Sequence, residues 1–109
     1  VKDFDPHDAI QTINDNKDAL SVAKGQLAEL DAFKSSLKAI KMIESGASSL
    51  GAQERDASAS QEYQDHCKAI GLATRNVERL KWTMTVAQME FDAWRTEQAS
   101  NRNLEKMTR

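Results

Sequence analysis

The stretch Val77-Glu-Arg-Leu80-Lys-Trp82-Thr-Met84-Thr-Val86-Ala87-Gln-Met89-Glu-Phe91-Asp-Ala-Trp94 limits the fold more than any other. At about 100° per residue, Val77, Leu80, Met84, Ala87, Phe91 and Trp94 fall on one helical stripe. A second set, Trp82, Val86, Met89 and Ala93, keeps the same spacing on the opposite side. A surface helix carries one apolar stripe, and a helix with two is covered on both. One stripe can be met by another helix of the same chain. The other asks for a partner.

That first stripe belongs to a longer pattern. Tyr63, Ile70, Val77, Met84 and Phe91 recur every seven residues, and no proline follows Pro6, so a helix is predicted over about 60–106. Earlier, Asp5 reads as an N-cap, Pro6 as the first helical residue and Asp8 as a carboxylate in the positive first turn. Ile10, Ile13, Leu20, Ala23, Leu27, Leu30, Phe33, Leu37 and Ile40 then keep helical spacing, which predicts a first helix over about 6–44. The polar run Asn14 to Asp18, and Gly25, mark the places where it would bend or break. Ser45-Gly46-Ala47-Ser48-Ser49 is the clearest punctuation, with Gly46 suited to a left-handed C-cap. A short helix is expected over about 50–57. Ser58 with Gln61 offers a capping box for the last helix, and Ser60 a second choice of cap.

Two long helices joined by a short piece bury their stripes by folding back. The expected fold is therefore all-α, one domain over 1–109, an antiparallel helical hairpin with a short helix at the turn. Helix one would cover the Leu80/Met84/Phe91 side. Trp82, Val86, Met89 and Ala93 would remain as a self-association or partner face, most simply building an antiparallel dimer as a coiled-coil-like four-helix bundle.

Composition narrows the classes. At 109 residues the chain cannot build a thick core. One proline and four glycines are too few for the turns of an all-β fold. No apolar run approaches the roughly 18 residues of a membrane span, so no membrane partner is expected. No secretory leader is read at the start, and Cys67 alone makes no internal disulfide, so the cytoplasm is the expected compartment. The net charge of −2 excludes a strongly basic nucleic-acid binder. Residues 63 to 109 nevertheless hold eight Lys/Arg against six acids and the remainder seven against eleven, which predicts pairing between a mildly acidic first half and a mildly basic second half.

Little points to chemistry. His66-Cys67 are neighbours about 100° apart on a helix, with no second His or Cys three or four residues away, so neither a metal nor a cofactor site is expected. Cys67 reads as a small half-buried hydrophobe. Glu90 with Asp92, and Glu54 with Asp56, lie two apart and do not share a face. No phosphate-binding glycine loop, Gly-x-Ser-x-Gly elbow or Cys-x-x-Cys pair occurs, so no catalytic residue is named and an enzyme is not expected. Gly71, between Ala69 and Ala73, suggests a close helix approach or a slight bend. Arg75, Arg79, Lys81, Trp94, Arg95 and Arg102 are candidate contacts to a partner. With aromatic residues interleaved, they also offer a nucleic-acid surface. The competing reading has their stems lying on apolar flanks while their heads pair with acids.

Ala52-Gln-Glu54-Arg55-Asp-Ala57, Ser60-x-Glu62-Tyr63, Glu78-x-Leu80-Lys81-Trp82-x-Met84 and Phe91-Asp-Ala-Trp94-Arg95-Thr96-x-Gln98-Ala99-x-x-Arg102 together resemble small all-helical proteins of bacteriophage and prophage early regions. The likeness covers roughly residues 37 to 102, and Trp94-Arg95-Thr96 with Ala99 and Arg102 is its most specific part. It implies a bacterial host cytoplasm and a small accessory protein acting on a larger host or phage machine. It brings no catalytic residues. It gives Trp94 and Arg95 a partner-facing role, set against packing of Trp94 at the edge of the core stripe. The function expected is a non-enzymatic interaction protein, accessory to DNA recombination or inhibitor of a host defence complex. A direct nucleic-acid binder and a structural coiled-coil spacer are the alternatives.

Overall fold

A computed structural model describes residues 4–108. Three helices follow one another: α1 (Pro6–Glu44), α2 (Leu50–Ala59) and α3 (Gln61–Thr108). The fold is all-α, with α1 packed antiparallel to α3 as a helical hairpin and α2 between them. Among the described residues no helix is long and apolar enough to cross a membrane. Thr108 is the last residue of α3, and Arg109 lies outside the described residues.

Local chemistry sets the helix ends. The Asp5 carboxylate accepts the His7 N–H at 2.9 Å, and its carbonyl accepts the Asp8 N–H at 3.0 Å, which starts α1 at Pro6. Gly25 does not interrupt α1. After Glu44 the chain turns through Gly46 at φ +69, a conformation glycine adopts without cost. Ser49 caps α2 by accepting the Ala52 N–H. Between α2 and α3, Ser60 serves both ends. Its hydroxyl donates to the Ala57 carbonyl at 2.7 Å and accepts the Tyr63 N–H at 3.3 Å. The expected Ser58–Gln61 box does not form, because Ser58 is still inside α2 and the Gln61 amide donates to Asp65.

The chain divides into two compact units, one of residues 21–78 and one of 1–20 with 79–109. In the first, Ala23, Ala57 and Val77 are buried, with Leu27, Leu30, Leu37, Tyr63, His66, Ile70 and Ala73 half-buried around them. His66 bonds the carbonyl of Leu30, and Lys41 reaches Glu62 at 3.4 Å, so α1 and α3 run in opposite directions. That ion pair has its base on α1 and its acid on α3, the reverse of the polarity expected from composition. Gly71 is exposed, and a methyl group added there would meet nothing within 4 Å, so it marks no close approach. Cys67 is a half-buried free thiol.

In the second unit Ala9, Leu80 and Ala87 are buried. Ile13, Asn16 and Leu20 of α1 and Met84, Phe91 and Trp94 of α3 are half-buried beside them. Along α3 the covered positions therefore fall at Tyr63, Ile70, Val77, Met84 and Phe91, and at His66, Ala73, Leu80, Ala87 and Trp94. Both rows step by seven, the spacing of a two-helix seam. Four alanines among the seam positions of the two helices let the backbones lie close but fill little volume. The core is thin.

Candidate interaction surface

The uncovered side of α3 in the unit of residues 1–20 and 79–109 carries the candidate site. Since α1 occupies the Leu80/Ala87/Trp94 side, residues roughly 100° or more around the helix from it are left largely open. Trp82 is 63% exposed, Met89 61% and Val86 46%, and Ala93 is exposed beside them. All four are on one face, as their spacing requires.

The other named residues do not gather there. Arg79 is exposed and lies on the flank shared with Val86 and Ala93, while Lys81 is about 200° around the helix from it. Arg95 and Arg102, multiples of seven residues from Lys81, continue that separate line. Arg95 pairs with Asp92 at 3.6 Å, and Arg79 and Lys81 each take part in an interaction within the chain. Arg75 is exposed in the other unit. Trp94 is half-buried in the seam, its ring 5.9 Å from that of Phe91, which is a packing role.

Beside the exposed face runs a groove of about 990 Å³. The buried Ala9 and Ala87 form its floor, and Val86, Ala93 and Trp94 add apolar wall. Its rim is acidic: Asp5 and Asp8 from the start of α1, and Glu90 and Glu97 from α3, face one basic residue, Arg79. Sequence reasoning gave Asp5 a capping role and Asp8 a place in the positive first turn of α1, and left Glu97 unassigned. The signal was the seven-residue step from Glu90 to Glu97, each four residues after Val86 and Ala93 and so about 40° around the helix from that line.

Among the described residues no three His, Cys, Asp or Glu side chains come together as metal ligands. His66 is committed to the Leu30 carbonyl and to an edge contact with Phe33.

Fold and surface together define the class: a small all-α helical hairpin whose long second arm leaves an apolar face open. No protein-family model matches the chain, and no curated protein or solved structure is significantly similar to it.

Proposed function

We propose that this chain is a non-enzymatic helical interaction protein that self-associates through the outer face of α3. The exposure of Trp82, Met89 and Val86 on one face carries the reading. At about 25 cal/mol per Å² of apolar surface, covering a tryptophan and two large aliphatic side chains is worth several kcal/mol. Isolated apolar residues on a surface are ordinary, but a contiguous cluster is a contact site. The simplest arrangement is an antiparallel dimer, two hairpins joined as a four-helix bundle. The resemblance to phage early-region proteins supplies the setting: a bacterial cytoplasm, with the protein an accessory to recombination or an inhibitor of a host defence complex.

The test follows the surroundings of Trp82. In a Trp94→Phe protein, whose one tryptophan is Trp82, acrylamide quenching should fall as protein concentration rises from low to high micromolar. Quenching that stays high and constant across that range removes the reading.

A further inference from the structure

We propose that the acid-rimmed groove beside α3 receives a basic amphipathic helix of a second protein. The proposal rests on the reading of the chain as an interaction protein and names the chemistry of its target.

Shape and charge agree. The groove residues on α3 run from Arg79 to Glu97, about 27 Å at 1.5 Å per residue, which matches a helix of about 18 residues. An apolar floor of Ala9 and Ala87, with Val86 on the wall, suits the apolar stripe of such a helix. Asp5, Asp8, Glu90 and Glu97 outnumber Arg79, and the positive amino end of α1 offsets only about half a unit charge. The rim therefore stays anionic and selects Lys or Arg on the flanks of the incoming helix. A second copy meets the adjoining outer face, and its own acidic rim keeps it from filling the groove; a nucleic acid would bring phosphates, so both are disfavoured within it. Because Trp82, Val86 and Ala93 border the groove and also form the outer face, seating the basic helix displaces the self-associated partner.

The probe is a synthetic Leu/Lys amphipathic helix of about 18 residues, with its Leu/Glu counterpart as control. Trp82 and Trp94 both line the groove and report occupancy by fluorescence. The Leu/Lys peptide should bind saturably at one per chain, weaken as salt rises, and shift sedimenting protein toward a one-to-one complex. Glu90→Gln with Glu97→Gln should weaken binding on the order of tenfold, because both removed charges face the ligand. Glu54→Gln with Asp56→Asn, exposed on α2, should leave it unchanged; far-UV circular dichroism checks that both variants stay helical. Equal loss in both double variants, or no saturable binding, overturns the proposal as mere charge attraction or as nothing. Self-association of the protein alone would then still stand, since it is read without peptide. Peptide binding to an intact dimer would overturn the displacement.

Discussion

The Nε2 atom of His66 on α3 lies 2.7 Å from the carbonyl oxygen of Leu30 on α1, thirty-six residues away in sequence. A carbonyl only accepts, so Nε2 carries the proton. The ring also meets Phe33 edge-on, with centroids 5.7 Å apart at 67°. This one side chain ties the two long helices together by both a hydrogen bond and a ring contact. His66→Ala should cost about 1–2 kcal/mol, the value of a half-buried hydrogen bond and its packing, read by urea denaturation. Phe33→Ala in the same background should cost less than in the wild type, because the ring contact is already gone.

Buried and exposed positions on α3 should separate cleanly. Leu80→Ala empties a buried site and should destabilise the fold by about 2–4 kcal/mol. Trp82→Ala, a larger truncation at an exposed site, should change unfolding of the lone chain by less than about 0.5 kcal/mol. Thermal melts at low protein concentration give both numbers.

Two glycines should respond with opposite signs. Gly25 is helical and nothing lies within 4 Å of an added methyl group, so Gly25→Ala should stabilise by up to about 1 kcal/mol. Gly46 also has open space but sits at φ +69, so Gly46→Ala should destabilise by about 1 kcal/mol through backbone strain alone. Melting temperatures of the two variants against wild type decide this.

Lys41 and Glu62 should titrate away from their ordinary ranges. The Glu44 carboxylate, 2.9 Å from the Lys41 ammonium, holds that amine above the usual lysine range, with Glu62 adding to it. Glu62 is held below the usual carboxylate range by a hydrogen bond from its own backbone N–H, then by Lys41. A depressed carboxylate stabilises the fold above its ordinary range and loses that contribution as pH falls through the lowered value. The raised amine stabilises at neutral pH and loses its share as pH rises through the raised value. Lys41→Met should move the Glu62 carboxyl titration upward without restoring the full ordinary value, as followed by NMR.

Much of the hairpin could be read from residues. Asp5-Pro6 and Gly46 punctuate α1 through backbone chemistry that acts locally, and the seven-residue row from Tyr63 to Phe91 is one of the two covered rows of α3. Ser60 shows where reading stops: a hydroxyl that donates to Ala57 and accepts from Tyr63 ends one helix and begins the next, and spacing alone does not separate it from Ser58. Net charge per half says nothing of which side chains meet, and Lys41 meets Glu62. The outer face could be named because helical spacing alone separates Trp82 from Leu80. The groove could not, since Asp5 and Glu97 are joined only by the fold.

Sedimentation equilibrium of the wild-type chain and of Trp82→Glu, from low to high micromolar concentration, tests the outer face most directly. Self-association through that face predicts a wild-type mass that rises toward at least twice the 12.2 kDa of one chain, and a helical variant that stays at one. A wild-type mass of one chain throughout, or a variant that associates as tightly as the wild type, would contradict it.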